Sequence, residues 1–247
     1  MTLTISATNL GSYASRRFCP LCAWVHLHVK PLPYQTFPGI FSTIDRYNKL
    51  IVHRYFDRSH SLPSWLKPLG HVDHYIEPPH WKRFSVLDEE TGVTLRGEAD
   101  GIFRMIDGSY TIVDYKTAKY TPGQRGMFGS YEVQLNSYAY IGERLGLTPI
   151  NQLALVYMEP ITDEETVKEP QVVNEHGFSI GLKATIVPVE LKPDKLIPPL
   201  LVKALEISKM TSPPSGLGNC KECAAVDELL EALKQDQMPP EIHFELG

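Results

Sequence analysis

Two acidic residues and a lysine near the middle of the chain are of types that can do chemistry together. Asp114 and Lys116 end an apolar run that begins at Tyr110, and Asp100 lies in a preceding run of similar composition. Side chains alternate between the faces of a strand, so Asp114 and Lys116 share a face with Ile112. Burying a carboxylate and an ammonium group is costly unless pairing, a metal ion or water compensates. The pattern therefore favours a functional site over the solvated face of an edge strand.

The two runs are predicted to form a β-hairpin. Residues 95–106 and 110–116 are rich in Val, Ile, Phe and Tyr, as strands are. The segment 107–109 between them reads Asp-Gly-Ser, which is a strong turn signal. The functional side chains would then lie on two neighbouring strands.

The length of the turn decides whether Asp100 faces the same side as the other two residues. A two-residue turn would pair Asp100 with Tyr115 and point it away from them. A three-residue loop at 107–109, with a bulge, would pair it with Lys116 and put all three side chains on one face. We therefore predict the three-residue loop, or a bulge elsewhere with the same parity.

Two carboxylates beside a lysine suit the hydrolysis of phosphate esters. Hard divalent cations such as Mg²⁺ bind through one or two carboxylates together with water and phosphate. Such an ion lowers the pKa of a bound water and neutralises charge that develops on the phosphate. The lysine can orient or deprotonate that water, or stabilise the pentavalent phosphorus, depending on its pKa.

An ordered set of motifs around these residues resembles a known nuclease family. The motifs are Gly97-x-x-Asp100, Val113-Asp114-Tyr115-Lys116-Thr117 and Gln134-x-x-x-Tyr138. They are similar to motifs II and III and the Gln-x-x-x-Tyr motif of the PD-(D/E)XK nuclease superfamily. The similarity is closest to the RecB-like exonuclease branch, shared with the iron–sulfur nucleases of CRISPR adaptation, the fourth CRISPR-associated family. Asp-x-Lys alone is a weak pattern, whereas the ordered set over about residues 95–140 is specific.

The resemblance assigns roles to matching positions in this sequence. It implies that Asp100, Asp114 and Lys116 are catalytic, and that Asp100, Asp114 and the Tyr115 backbone carbonyl bind Mg²⁺ or Mn²⁺. It also implies that Gln134 and Tyr138, one helical turn apart, border the site and touch DNA or a catalytic group. Lys119, in the loop that follows the hairpin, is a candidate phosphate contact, although surface loops often carry lysine for no such reason.

A helix before the hairpin offers two further metal ligands. Apolar spacing predicts a helix from Gly39 to about Phe56, which carries Asp45 and His53. In RecB-like nucleases an N-terminal helix lends a His or an acidic residue to the metal, a few positions after a Gly. Asp45 occupies the comparable place and His53 is the other candidate, while an exposed helix charge or a core-edge histidine is the alternative for each. The stretch 57–94, rich in His, Pro and Trp, matches no known ligand spacing.

The chain has four cysteines, in two Cys-x-x-Cys pairs near its two ends. They are Cys19 and Cys22, followed much later by Cys220 and Cys223. Each pair can present two thiolates to one tetrahedral centre, and disulfides are disfavoured in a chain without a secretion signal. The resemblance implies a [4Fe–4S] cluster, but its members commonly use one N-terminal and three C-terminal cysteines. The two-and-two split keeps Zn²⁺ open as the alternative.

Composition limits the remaining possibilities. The chain has 247 residues, 43% of them hydrophobic, and a formal net charge of −5, which argues against non-specific coating of nucleic acid but permits a local basic groove. No apolar run approaches the ~20 residues of a transmembrane helix. We therefore expect a cytoplasmic protein without a membrane partner.

The predicted fold class is α/β, with a restriction-endonuclease-like core in which helices flank a central mixed β-sheet. We expect a single domain over 1–247, with a nuclease core at about 84–192 and a helical insertion at about 39–83. The four-cysteine centre would join segments 9–30 and 216–237. A helix is predicted from about Pro193 to Lys209, with a possible break at Pro198-Pro199.

The predicted function is metal-dependent cleavage of DNA, by an exonuclease acting on single-stranded DNA or on DNA ends. One alternative is a non-catalytic nucleic-acid-binding or adaptation-complex subunit with a structural metal centre. The other is a zinc-stapled interaction module whose carboxylates bind only a structural ion. The expected partners are DNA and other nucleic-acid-processing proteins, such as a helicase or a CRISPR integrase.

Overall fold

Strands and helices alternate along the part of the chain that this computed structural model describes, residues 3–29, 38–121 and 128–234. The strands are β1 (Thr4–Ser6), β2 (Val72–Ile76), β3 (Ser85–Leu87), β4 (Thr94–Arg96), β5 (Gly101–Met105), β6 (Tyr110–Lys116), β7 (Ile150–Pro160), β8 (Val173–Asn174), β9 (Gly177–Phe178) and β10 (Leu182–Val189). The helices are α1 (Ala7–Gly11), α2 (Pro20–His28), α3 (Gly39–Ser59), α4 (Phe128–Arg144), α5 (Pro193–Ser208) and α6 (Lys221–Lys234). The predicted ends of the cysteine-bearing segments, residue 30 and residues 235–237, lie outside the described ranges.

A five-stranded mixed sheet in the order β10-β7-β6-β5-β2 forms the centre of the fold. β6 and β7 are parallel and are connected through α4, whereas the other neighbours are antiparallel. The predicted α/β class with a central mixed sheet flanked by helices is confirmed. β2 comes from the stretch predicted as a helical insertion and forms one edge of this sheet.

Alternation along the strands gives the central sheet two apolar faces. Ile112 and Leu153 belong to the core shared with α4 and α5, whereas Val113 and Tyr115 pack with Val52 of α3 on the other side. Burial of both faces explains why the central strands read as nearly continuous apolar runs. It also leaves the end of β6 as the place where polar side chains can reach a cleft.

The β5–β6 hairpin has the predicted loop length but different bounds. The backbone N–H groups of Met105 and Gly108 donate to the carbonyls of Ser109 and Met105 at 2.8 and 2.9 Å, so the loop is 106–108 rather than 107–109. Gly108 has φ +84°, which suits the bulged end of such a loop. The register pairs Gly101 with Val113, and its continuation places Asp100 opposite Asp114 rather than Lys116. Asp100 itself lies in the bend just before β5, and its carboxylate meets the end of β6 at the Tyr115 N–H.

The prediction of a single strand over 95–106 is wrong. β4 pairs with β1 and β3 in a separate three-stranded sheet, and β5 begins only at Gly101. Between them the chain passes beneath Tyr138 at Gly97, where an added Cβ would lie 2.7 Å from the Tyr138 ring. This close approach takes the chain from one sheet to the other and requires glycine.

Helix α5 continues through Pro198 and Pro199 without the predicted break. Proline inside a helix removes backbone hydrogen bonds, yet α5 buries one face through Ile197, Leu201 and Ala204 in the core against α4. That burial offsets the lost hydrogen bonds. No helix in the described ranges is long and apolar enough to cross a membrane.

Candidate functional site

A cleft of about 870 Å³ opens at the carboxyl end of β6. It is lined by polar residues from α3, from the turn before β5, from β6 and from α4. They include Asp45, Lys49, Asp100, Asp114, Lys116 and Gln134. The structure thus brings together the two central carboxylates and the lysine that the sequence predicts, with Asp45 at the same cleft.

Asp114 and Lys116 form a close ion pair at the floor of the cleft. Lys116 Nζ lies 2.5 Å from Asp114 Oδ2, and the Asp114 side chain is only 3% exposed. This Oδ2 atom is buried and receives no hydrogen bond of acceptable geometry from any described residue. Buried polar atoms are normally satisfied, so this oxygen is available to a further electropositive partner.

A hydrogen-bonded chain from α4 holds Lys116 in place. Gln134 Oε1 accepts from Lys116 Nζ at 3.0 Å, and Gln134 Nε2 donates to the Tyr138 hydroxyl at 2.8 Å. The ammonium group also lies 4.3 Å from the centre of the Tyr131 ring, a cation–π contact that the sequence did not reveal. Gln134 and Tyr138 therefore contact a candidate catalytic group, one of the two possibilities that the resemblance allowed.

Asp100 is held at the edge of the cleft by two partners. Its Oδ2 accepts the Tyr115 backbone N–H at 2.9 Å. Its Oδ1 lies 2.7 Å from Lys49 Nζ, which also lies 2.9 Å from Asp45 Oδ2. Asp45 is thus linked to Asp100 through a lysine rather than directly.

Lys49 is a residue of the cleft that sequence reasoning missed. It follows Asp45 by four positions, so the predicted helix alone places the two side chains on one face. What the sequence does not give is the packing of α3 against the sheet, which brings that face to Asp100. The helical spacing after Asp45 was the only signal that could have found it.

Burial and like charge shift the protonation of the cleft carboxylates. Burial, reinforced by the negative charge of Asp100 and opposed by Lys116, raises the pKa of Asp114 to about 7. Burial and Asp100 also raise the pKa of Asp45, although Lys49 opposes the shift. Burial alone would lower the pKa of Lys49, but its two carboxylate partners raise it instead. The pocket therefore favours additional positive charge.

Two predicted site residues lie outside the cleft lining. His53 stacks on Tyr75 with ring centres 4.1 Å apart, and its Nδ1 lies 3.9 Å from Glu77 Oε2. The side chain of Lys119 is 75% exposed and lies 3.6 Å from Glu159. His53 lies on the same helix as Asp45, two turns further along, and β2 rather than the cleft receives its ring.

The residues of the cleft fit a divalent cation. Asp100 and Asp114 offer carboxylate oxygens at one end of the sheet, and Asp114 Oδ2 is buried without a suitable hydrogen bond. Oxygen donors of this kind are the ligands that Mg²⁺ and Mn²⁺ prefer. The raised pKa of Asp114 has the same cause, since burial disfavours its ionised form until a cation compensates.

The four cysteines converge as predicted, although the two pairs come from opposite ends of the chain. Their sulfur atoms all lie within 4.8 Å of one another. Cys19 and Cys223 are 3.3 Å apart, and Cys22 is 3.5 Å from Cys220. All four thiols are free rather than joined in disulfides. This centre holds α2 and the start of α6 together.

The thiols differ strongly in their tendency to ionise. Burial opposes ionisation of Cys19, but hydrogen bonds from the backbone N–H groups of Cys22 and Leu217 and from neighbouring thiols lower its pKa to about 6. Burial and the neighbouring thiols raise the pKa of Cys223 to about 12 and shift that of Cys22 upward as well. The Cys19 thiolate forms readily and its charge opposes ionisation of Cys22 and Cys223, so binding through these thiolates together requires a cation between them.

Comparison with known families decides how this cleft is classified. A family model described as the PD-(D/E)XK nuclease superfamily matches residues 45–235. This chain belongs to the PD-(D/E)XK nuclease superfamily. Superfamily members are typically metal-dependent nucleases. The match includes Asp45, the hairpin and the second cysteine pair, and it begins after the first pair.

A structural comparison finds a chain described as "Crystal structure of SSO0001". It has a TM-score of 0.41 and 13% sequence identity, and the match covers 86% of this chain and 79% of the other. No curated protein matches the sequence. The superfamily assignment therefore rests on the family model.

Proposed function

We propose that the chain is a DNA nuclease that hydrolyses phosphodiester bonds with Mg²⁺ or Mn²⁺, and that it acts as an exonuclease on single-stranded DNA or DNA ends. The observation that carries the proposal is the meeting of Asp100, Asp114 and Lys116 in one cleft, with a buried Asp114 oxygen that lacks a suitable hydrogen bond. Membership of the superfamily supports the nuclease class.

The proposed roles follow from the contacts in the cleft. Asp100 and Asp114, with the Tyr115 backbone carbonyl, would hold the ion. When bound, the ion would lower the pKa of a water and offset charge on the phosphate. Lys116 would orient the attacking water, while Gln134 and Tyr138 fix the ammonium group through their hydrogen bonds.

Aromatic and basic groups at the cleft support a single-stranded substrate. Trp81 and Arg96 both line the cleft, and the Arg96 guanidinium lies 4.7 Å from the centre of the indole ring. Proteins that bind single strands combine such rings, on which bases stack, with positive charge that follows the phosphates. Lys119, exposed just beyond β6, would contact phosphate outside the cleft. The role of His53 as a metal ligand stays a prediction. Its ring packs on Tyr75, outside the cleft lining.

The cysteine centre is proposed to be structural, with two candidate occupants. The resemblance to RecB-like and CRISPR-adaptation nucleases favours [4Fe–4S], and those relatives also suggest a helicase or integrase partner. The sulfur spacing favours Zn²⁺, because four thiolates at about 2.3 Å from one ion lie about 3.8 Å apart. The shortest spacings here are 3.3 to 3.6 Å, whereas a cluster of eight atoms needs a wider cavity. Metal analysis and visible absorption of anaerobically purified protein separate the two.

The test of the nuclease proposal is cleavage of end-labelled DNA in Mg²⁺, Mn²⁺ or EDTA, with Lys168→Met as a surface control. Single strands, blunt duplexes and circles are compared, for the wild type and for Asp114→Ala. Cleavage of single strands from their ends, absent in EDTA and in Asp114→Ala, is expected. Equal cleavage by wild type and Asp114→Ala, or none in any metal, would favour the alternative of a non-catalytic nucleic-acid-binding subunit.

A further inference from the structure

Lys49 places an ammonium group between two carboxylates of the cleft. Its Nζ lies 2.7 Å from Asp100 Oδ1 and 2.9 Å from Asp45 Oδ2, and its side chain is 26% exposed. These are short, charge-assisted contacts. No motif used in the sequence analysis accounts for this lysine.

The contacts of Asp100 leave little room for a second cation on its Asp45 side. One carboxylate oxygen accepts the Tyr115 N–H and the other faces Lys49. In two-metal nucleases, ions about 3.5–4 Å apart clamp the attacking and leaving oxygens from both sides. Here an ammonium group already lies between Asp45 and Asp100, the pair of carboxylates on the side of the cleft away from Lys116.

The charges of the cleft are also consistent with a single divalent ion. When ionised, the four carboxylates and three cationic groups that line the cleft leave one net negative charge: Asp45, Glu98, Asp100 and Asp114 against Lys49, Arg96 and Lys116. One divalent cation converts this to one net positive charge, which matches a single phosphodiester. Without Lys49, the same carboxylates would have the charge to hold a second ion.

We propose that Lys49 takes the place of a second divalent cation, so that the cleft binds one ion and Lys49 is the fixed positive charge beside it. The inference rests on the proposed function, since it presumes that Asp100 and Asp114 bind an ion. It assigns to Lys49 a role that the Asp-x-Lys motif does not contain. Its ammonium group acts by pairing with Asp45 and Asp100.

The chain offers a matched control in Lys192. This lysine also bridges two carboxylates, at 2.8 Å from Glu132 and 2.7 Å from Glu190, and its side chain is likewise 26% exposed. It lies away from the cleft lining. Lys192→Met therefore removes an equivalent bridge without touching the proposed metal position.

The experiment is a calorimetric titration of the full chain, cysteine centre loaded, with Mn²⁺, accompanied by electron paramagnetic resonance of the saturated protein. Asp114→Asn gives the number of ions bound outside the cleft. The wild type and Lys192→Met are expected to bind one ion in the cleft. Lys49→Met is expected to bind two, with the broadened signal of two neighbouring Mn²⁺ ions. Lys49→Gln, which keeps a polar side chain, is the second variant in case the first does not fold.

The outcomes distinguish this inference from the proposed function. A wild type that binds two ions in the cleft would show that Lys49 moves aside, and one ion in both Lys49 variants would show that no second position exists; either result overturns the inference. A second ion in Lys192→Met would show that any unbridged carboxylate pair collects Mn²⁺, which also overturns it. No ion in the wild-type cleft would overturn the proposed function itself.

Discussion

Asp88 and Asp114 are both buried carboxylates, with 6% and 2% of the residue exposed, yet their surroundings are opposite. Asp88 accepts hydrogen bonds from the Thr91 backbone N–H at 2.9 Å, the Thr91 hydroxyl at 2.5 Å and the Tyr140 hydroxyl at 2.7 Å. Among the residues that the structure describes, Asp114 has one ion-pair partner, Lys116, and its buried Oδ2 receives no hydrogen bond of suitable geometry. The fold satisfies one carboxylate with three hydrogen bonds, whereas it gives the buried oxygen of the other only an ion pair.

The pKa values of the two groups move in opposite directions. Burial would raise the pKa of Asp88, but hydrogen bonds from Thr91 and Tyr140 hold it below its usual range. Burial and the nearby charge of Asp100 raise the pKa of Asp114 to about 7, despite Lys116. The difference separates a carboxylate that stabilises the fold from one whose charge awaits a cation.

Among variants that keep the proposed metal ligands, Lys116→Met is expected to have the largest effect on cleavage. Removing a group that acts on charge developing in the transition state costs roughly 10²–10³ in kcat. The Asp114 carboxylate remains, so Mn²⁺ binding measured by calorimetry should persist. Loss of cleavage and of Mn²⁺ binding together would mean that Lys116 only maintains the shape of the site.

Asp88→Asn is expected to change stability and not catalysis. Asparagine keeps one acceptor oxygen, but its NH₂ group replaces the other and can no longer accept from Thr91 or Tyr140, and the lost hydrogen bond costs about 1–3 kcal/mol in the free energy of unfolding. Urea denaturation measures the loss, and kcat per folded molecule should stay unchanged. Asp163→Asn is the matched control, since Asp163 accepts from the Thr166 N–H and hydroxyl on the surface, and its loss should be smaller.

The stabilisation by Asp88 should depend on pH with a definite sign. Because its pKa in the folded state lies below that of the unfolded chain, the contribution is fully present above the unfolded value of about 3.9. It is lost as the pH falls through the folded pKa. Wild type and Asp88→Asn should therefore converge in unfolding free energy in acid, and a difference that grows on acidification would contradict this assignment.

The smallest effect is expected from Tyr138→Phe. The Tyr138 hydroxyl accepts from Gln134 Nε2, and without it that amide keeps only a 3.4 Å contact with Thr8 Oγ1. Looser positioning of Lys116 should lower kcat by up to about tenfold, which corresponds to about 1.4 kcal/mol in the barrier, with KM for DNA little changed. A rise in KM at constant kcat would instead indicate direct contact of Tyr138 with DNA.

The meeting of Asp114 and Lys116 could be predicted because strand alternation determines it, and the hairpin brings Asp100, just before β5, to the same cleft. The loop lies at 106–108 rather than 107–109. Because both of its ends move by one position, the strand pairing shifts by two residues, and the same side chains of the hairpin still share a face. The central sheet and its flanking helices follow from the same alternation and from the apolar spacing of the helices.

The rest depends on packing that the sequence does not express locally. Lys49 joins the cleft because α3 packs on the opposite face of the sheet from α4, which local periodicity cannot show. The run 95–106 read as one strand because its residues are apolar throughout. The need for the chain to pass Tyr138 at Gly97 divides it between two sheets.

The most direct test is to measure DNA cleavage and Mn²⁺-dependent thermal stability together for Asp114→Asn and Asp88→Asn. We predict that Asp114→Asn loses cleavage and the rise in Tm that Mn²⁺ gives the wild type, since only an ion bound to the folded state stabilises it. Asp88→Asn should keep both, from a lower starting Tm. Cleavage and Mn²⁺ stabilisation that survive in Asp114→Asn would contradict the assignment of this cleft as the metal-dependent active site.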